Sequence, residues 1–215
     1  MQDWPRIPLP DSRELLLSSA ELGRKIAALL DTEEDVPGVT SGTIRPELAV
    51  IGVVSVVRGE KLDVEAGDLA VTAGWGHAGK GGVTMPAKGK LVERKYDVDE
   101  ARTLRPHPSP LPQERESVGA CLGESTLDVY LNDKVYWKNI PRRVWDYHIG
   151  GYQVIKKWLS YREKGLLGRP LRSEEAREVT NIARRIAAIL LLELDLDRNY
   201  QAVIENCYAW PGGET

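Results

Sequence analysis

The chain has 215 residues and a formal net charge of −3, with 42% hydrophobic and 28% charged residues. This length suits one large domain or two small lobes with a real core, and neither a membrane-spanning apolar run nor a signal peptide is visible. Two cysteines make neither a disulfide framework nor a zinc site. A globular protein of the reducing cytoplasm is therefore expected.

The first predicted element is a helix from Asp11 to about Asp31. Asp11 can cap its N-terminus, and Glu14 stands three residues later, at the capping-box spacing. Apolar side chains at helical intervals give this helix one buried face; they are Leu15, Leu22, Ile26 and Leu29.

Residues 43–98 predict a sheet. The nearly continuous β-branched run at 48–57 predicts a strand that is buried on both faces. Shorter strands are predicted at 68–72, 83–85 and 90–96, because glycines and a proline punctuate the sequence between them.

Residues 104–116 change character abruptly. Four prolines within seven residues exclude a helix or a central strand and predict an extended linker; a Pro-rich ligand for another protein is the lesser alternative. We expect the linker to cover residues 103–125. It separates an N-terminal lobe of helix and sheet at 1–102 from a C-terminal helical lobe with a hairpin at 126–215.

The C-terminal half begins with a predicted hairpin. A strand at 127–131 turns back at Asn132-Asp133 into a second strand at 135–137. Pro141 opens a short helical segment, which Gly150-Gly151 ends.

Two longer helices follow in the prediction. One runs from Tyr152 to about Arg162, and the other starts at Ser173, where Glu174 and Glu175 favour the positive N-terminal end. The predicted fold class is α+β, with a twisted mixed or antiparallel sheet and three main flanking helices in one or two lobes.

A glycine-rich loop at residues 74–82 imitates two nucleotide-binding motifs. Residues 74–79 satisfy G-x-G-x-x-G, and Lys80 extends them to a near match of a P-loop. Both motifs need a helix directly after the loop to hold phosphate, but residues 80–86 contain two glycines and a proline. We expect no nucleotide binding there. The loop either brings backbone amides to a phosphate or only turns a corner.

Catalytic patterns are sparse in the sequence. The histidines His77, His107 and His148 lack metal-ligand spacing, and no G-x-S-x-G elbow occurs. Methylation of a DNA amino group generally uses an Asn/Asp-Pro-Pro-aromatic motif and a glycine-rich cofactor loop, and neither is present. We therefore expect no metal, no cofactor and no enzymatic activity of the chain by itself.

An aromatic and basic run from Tyr136 to Arg162 indicates a different activity. The chain as a whole is slightly acidic, unlike many stand-alone DNA-binding proteins, but this run is locally basic. Lysine and arginine suit phosphates, and aromatic rings can stack or wedge against bases. The helical spacing favours burial of Trp145, Tyr152 and Trp158 in the core, and this is compatible with lysines and arginines on the outside.

Ordered blocks of sequence extend over most of the chain; they are residues 4–10, a helix with Leu22-Gly23, and residues 38–46, 68–82, 128–133, 144–162 and 196–200. These blocks resemble the C-terminal specificity region of Type ISP restriction–modification enzymes and of related fused adenine methyltransferases. The resemblance implies a region that reads the DNA target. A preceding methyltransferase domain would flip and methylate an adenine with S-adenosylmethionine, and some members add a nuclease and an ATP-driven translocase.

The resemblance sets the expected partners. We expect double-stranded DNA and, in one alternative, a separate methyltransferase or translocase domain or subunit, with no membrane partner and a monomeric chain. Because the sequence starts almost where the specificity region would start, it resembles a fragment or a split subunit that supports methylation only in a complex. The Pro-rich insertion and the acidic net charge leave a further alternative, a folded remnant that binds nothing.

The DNA contacts are assigned here from side-chain type and expected loop position, because the resemblance does not assign them. Base reading is expected near His77, Asn132, His148 and Gln153, and Trp75 lies in the same glycine-rich loop as His77. The basic residues expected to contact phosphates are Lys80, Lys88, Lys90, Arg142, Arg143, Lys156 and Lys157.

Overall fold

The computed structural model describes residues 7–104 and 121–209. It is an α+β protein, as predicted. Its elements, in chain order, are α1 (Arg13–Leu30), α2 (Pro46–Ala49), β1 (Val53–Val56), β2 (Gly76–Ala78), β3 (Thr84–Pro86), β4 (Leu91–Lys95), α3 (Val98–Leu104), β5 (Ser125–Tyr130), β6 (Val135–Pro141), α4 (Arg142–Trp145), β7 (His148–Ile149), β8 (Tyr152–Gln153), α5 (Val154–Ser160), α6 (Lys164–Leu167), α7 (Ser173–Leu191) and α8 (Glu193–Glu205).

The chain divides into two compact units. The smaller combines Met1–Glu34 with Leu192–Thr215, and the larger is Asp35–Leu191. This division differs from the sequence-based one at 103–125, because strands from both sides of that stretch pair within one sheet. Helix α3 also extends to Leu104, inside the predicted linker. The rest of the Pro-rich stretch, residues 105–120, lies outside the described residues.

The smaller unit is built by α1 packed against α8. The predicted first helix is confirmed, but its cap is Ser12 and not Asp11, since the Ser12 side chain accepts the hydrogen bond from the Leu15 amide at 3.2 Å. Ser19 Oγ donates to Asn199 Oδ1 at 2.8 Å and joins the two helices. Sequence analysis missed α8, because its buried side is narrow and acidic residues dominate the segment.

A four-stranded antiparallel sheet in the order β1-β6-β5-β4 organises the larger unit. The predicted hairpin is confirmed as β5 and β6, and one face of the sheet packs on α7. Trp137, fully buried on that face, donates its indole N–H to the Ala176 carbonyl at 3.1 Å. Thr180 Oγ1 on α7 donates to the Gly52 carbonyl at 2.6 Å, which fixes the entry to β1.

Two predicted strands differ from the structure, the first in its extent and the second in its existence. Residues 48–57 contain the end of α2 and only a four-residue strand, because Pro46 starts a helix and Gly52 turns the chain at a φ of +66°. Residues 68–72 form a loop instead of a strand. Their backbone is held from outside, since the amides of Thr72 and Ala73 both donate to the Leu131 carbonyl, at 2.7 and 2.9 Å.

A charged cluster braces the other face of the sheet against α3. Glu100 is 6% exposed, and its carboxylate oxygens lie 2.6 Å from Arg94 Nη1 and 2.9 Å from Lys138 Nζ. Arg94 Nε also lies 3.2 Å from Asp128. Burial alone would raise the pKa of Glu100, but the hydrogen bonds from Arg94, the Asp97 amide and Lys138 outweigh it and lower the pKa to about 2.

Replacing Glu100 with glutamine should lower the free energy of unfolding by about 2–3 kcal/mol at pH 7. The pKa of Glu100 in the folded protein lies below its ordinary value of 4.5. This stabilisation is therefore complete above about pH 4.5 and is lost as the pH falls towards 2. In urea unfolding, the difference in the free energy of unfolding between wild type and Glu100→Gln should be smaller at pH 3 than at pH 7. Glu93→Gln, at an exposed carboxylate on β4, is the control, and a Glu100→Gln deficit equal at both pH values would contradict the account.

Candidate functional site

The β2–β3 hairpin packs on α5. Gly76 in β2 permits this close approach, because a Cβ at that position would lie 2.1 Å from the Ser160 carbonyl oxygen. After Gly79 the chain forms a short 3₁₀ turn and then β3. The prediction that no α-helix follows the glycine-rich loop is confirmed, so the loop lacks the helix N-terminus that both nucleotide-binding motifs require.

Trp75 anchors this hairpin in the core. Its side chain is fully buried, its indole N–H donates to the Tyr130 carbonyl at 2.8 Å, and its ring lies 5.4 Å from that of Trp145. The Glu163 carboxylate accepts the amides of Gly74 and Trp75 at 3.2 and 2.8 Å. The prediction that Trp75 contacts DNA is wrong for this structure, because a side chain with 0% exposure has no surface to offer.

Four of the predicted phosphate ligands lie on the hairpin, on the segment after it and on α5. Lys80 and Lys88 are exposed, and Lys156 and Lys157 are half-buried. Lys88 lies between Ala87 and Gly89, whose amides bond back to the carbonyls of residues 75 and 74 at 2.7 and 2.9 Å. Within the described residues, no carboxylate oxygen lies within 4.0 Å of any of these four ammonium groups. A phosphate would therefore not have to displace a described carboxylate from any of them.

The ammonium group of Lys157 lies over two tyrosine rings. Its Nζ is 4.2 Å from the ring centre of Tyr152 and 4.9 Å from that of Tyr161, which are cation–π distances. The expected burial of Trp145 is confirmed. The expected burial of Tyr152 is wrong, because α5 starts only at Val154 and Tyr152 belongs to β8, outside the helical face.

The β7–β8 hairpin precedes α5 and contacts it. The Gln153 side-chain amide donates to the Trp145 carbonyl, so this predicted base reader anchors the hairpin. His148 is exposed, and its Nδ1 lies at hydrogen-bond distance from the Asp146 carbonyl. His77 is exposed on the other hairpin, at a position opposite Met85. Both histidines are exposed, as base reading requires.

Asn132 has a structural role. Its side-chain amide donates to the carbonyls of Asp68 and Ala70 at 2.7 and 2.8 Å, and its Oδ1 accepts the amides of Lys134 and Val135. With these donors and acceptors used inside the protein, Asn132 holds the hairpin turn to the 68–72 loop and cannot read a base from this position.

The remaining predicted phosphate ligands are engaged within the protein. Lys90 pairs with Asp133 at 2.8 Å, and Arg143 donates to the Cys121 carbonyl at 3.0 Å. Arg142 lies between two carboxylates, at 2.6 Å from that of Asp146 and 3.2 Å from that of Glu93. A phosphate would have to compete with these partners, and this distinguishes Lys90, Arg142 and Arg143 from the four lysines without a described carboxylate partner.

Two further features bear on function. Among residues 7–104 and 121–209, no group of three or more histidine, cysteine or carboxylate side chains is placed to hold a metal ion. The helices in the same residues are all too short or too polar to cross a membrane.

Comparison with known proteins identifies the family. The model of the Type ISP C-terminal specificity domain matches residues 1–186. The chain therefore belongs to the family of Type ISP C-terminal specificity domains. Its role is DNA target recognition in a restriction–modification enzyme. No curated protein and no solved structure matched the chain.

Proposed function

We propose that this domain holds duplex DNA on one surface, made by the β2–β3 hairpin, the segment after it, the β7–β8 hairpin and α5. The observation that carries the proposal is the group of four lysines without carboxylate partners, Lys80, Lys88, Lys156 and Lys157, here called the lysine surface. Lysine and arginine side chains that replace the counterions of DNA phosphates supply nearly all of the affinity that does not depend on the DNA sequence.

Base recognition in this proposal falls to the two exposed histidines. His77 and His148 lie on hairpins that both contact α5. An imidazole can donate or accept a hydrogen bond at a base edge, and phosphate contacts nearby would fix the register in which it does so.

The reaction served by this recognition is, in our proposal, adenine methylation. A methyltransferase domain or separate subunit would supply the catalytic groups and bind S-adenosylmethionine, and this chain would bind neither cofactor nor metal. The assignment of the catalytic groups to another domain is supported by the sequence, which lacks the Asn/Asp-Pro-Pro-aromatic motif, and by the family, which is that of a specificity domain. The domain would act as one copy per DNA site, in the cytoplasm.

Replacing Lys156 and Lys157 with alanine should flatten the salt dependence of duplex binding. Each lost phosphate contact reduces the slope of log K against log salt by about 0.9, so the double variant should lose about 1.8. Fluorescence anisotropy with a labelled duplex at several salt concentrations measures this slope.

The matched control is Lys61→Ala with Lys95→Ala. Both residues are exposed in the same unit and have no carboxylate within 4.0 Å among the described residues, but they lie outside the elements of the proposed surface. The control should keep the wild-type slope. An unchanged slope in Lys156→Ala/Lys157→Ala would remove both lysines from the DNA surface.

A further inference from the structure

The β7–β8 hairpin has a narrow tip that no other part of residues 7–104 and 121–209 covers. Gly150 and Gly151 form the turn with φ values of +56° and +81°, and positive φ at both central residues is what a two-residue type I′ turn requires. A Cβ added to either glycine would meet no atom within 4 Å. The tip therefore stands free of the rest of the described structure.

Two large apolar side chains flank this tip. Ile149 and Tyr152 are directly opposite each other in the strand register, and they are 53% and 58% exposed. Directly opposed residues of an antiparallel pair lie on the same face of the ribbon. Contiguous apolar surface with polar groups at its rim is typical of interaction sites, and the ammonium group of Lys157 lies beside this pair.

The base of the hairpin is held in place. The Gln153 side chain bonds to the Trp145 carbonyl, and the Val154 amide donates to the Tyr147 carbonyl at 3.2 Å. Lys157 lies over the Tyr152 ring at 4.2 Å. The exposed apolar pair is complementary to stacked bases, and the ammonium group beside it is complementary to a negatively charged backbone.

We propose that the β7–β8 hairpin is a wedge, and that Ile149 and Tyr152 enter the base stack of the bound duplex and separate one base-pair step. This inference rests on the proposed function, because the lysine surface must hold the phosphates beside the wedge. Apolar side chains that are inserted between base pairs unstack the step and kink the duplex. A protein partner would equally cover an apolar pair, but the ammonium group of Lys157, 4.2 Å from the Tyr152 ring centre, favours a polyanion.

The test uses three short duplexes of one sequence that differ only at the centre, which is fully paired, mismatched or abasic. Unstacking is least costly where pairing is already lost, so a wedge binds such sites more tightly. Wild-type protein should bind the abasic duplex about tenfold more tightly than the paired one, with the mismatched duplex between them. Ile149→Ala/Tyr152→Ala should lose this preference and still bind the paired duplex with the wild-type salt slope.

Matched variants separate the wedge from the rest of the surface. Val98→Ala removes a side chain that is 77% exposed on α3 and should keep the preference. Tyr152→Phe keeps the aromatic ring and should also keep the preference for the abasic duplex. If the double variant does not fold, Ile149→Ala and Tyr152→Ala are tested singly. Lys156→Ala/Lys157→Ala should weaken binding to all three duplexes by the same factor.

The two proposals fail in different ways. Steeply salt-dependent binding with equal affinity for the three duplexes would overturn the wedge and leave the DNA surface intact. A preference that survives in Ile149→Ala/Tyr152→Ala would also overturn it. No binding of a folded protein to any of the three duplexes would overturn the proposed function, and the wedge with it.

Discussion

Replacing Trp75 with alanine should lower the free energy of unfolding by about 3–5 kcal/mol, the usual cost of deleting a large buried aromatic side chain. The indole is fully buried, and its loss also leaves the Tyr130 carbonyl without its donor at 2.8 Å. Because Trp75 precedes β2 directly, the hairpin that carries Lys80 would lose its anchor. Affinity for DNA should therefore fall although Trp75 itself touches no DNA.

Chemical denaturation measures the first effect and anisotropy the second. Trp158→Ala is the matched control, since Trp158 is only half-buried and its indole N–H donates to the side chain of Glu178 at 2.9 Å. Trp158→Ala should lower the free energy of unfolding by clearly less than Trp75→Ala. A Trp75→Ala variant that lost less than about 1 kcal/mol would contradict the role of Trp75 as a core anchor.

Gly89→Ala should destabilise the same region by about 3 kcal/mol, through two additive costs. The residue has a φ of +68°, which L-residues adopt with strain, and its Cβ would lie 2.1 Å from the Trp75 ring. The ring cannot move away easily, because the bond to the Tyr130 carbonyl and the contact with Trp145 hold it. Thermal or urea unfolding measures the loss.

Gly74→Ala separates these two costs. Its φ is +77°, but a Cβ there meets no atom within 4 Å, so only the backbone cost of about 1–2 kcal/mol applies. The difference between the two variants is the cost of the Trp75 contact. Equal destabilisation by both would show that the ring does not fill the space beside residue 89.

Local patterns predicted much of the fold. The β5–β6 hairpin, α1, α7 and β4 each follow from periodicity with a turn or cap signal beside it. The strand predicted at 48–57 is shorter in the structure. Pro46, just before the run, starts a helix, and Gly52, within the run, turns the chain. Helix α8 was not predicted although it is present. Its apolar stripe is weak, and tertiary packing against α1 stabilises it.

The site was less predictable, because side-chain type does not reveal which partner a group has. Asn132 and Gln153 are plausible base readers as residue types, but the two carbonyls that accept hydrogen bonds from the Asn132 amide lie more than 60 residues away in sequence. Trp75 in a glycine-rich loop suggested an exposed ring, whereas the backbone of residues 87–89 folds back beside it. Lys156 and Lys157 are partly solvent-accessible and have no carboxylate partner among the described residues, as the prediction needs, and their contact with DNA stays a prediction.

One signal in the sequence was available and misinterpreted. Consecutive glycines between an isoleucine and a tyrosine are a two-residue hairpin pattern, but Gly150-Gly151 was interpreted only as a helix terminator. That interpretation is wrong, because α4 already ends at Trp145, and the glycines form the turn of the short hairpin that exposes Ile149 and Tyr152.

The most direct test of the DNA surface is an anisotropy titration of the purified, folded chain against pooled random duplexes at low and moderate salt. The account predicts binding at low salt that weakens steeply, with a slope of log K against log salt near −3.6 if the four lysines of the lysine surface each contact one phosphate. No binding at low salt, or binding that does not change with salt, would contradict it.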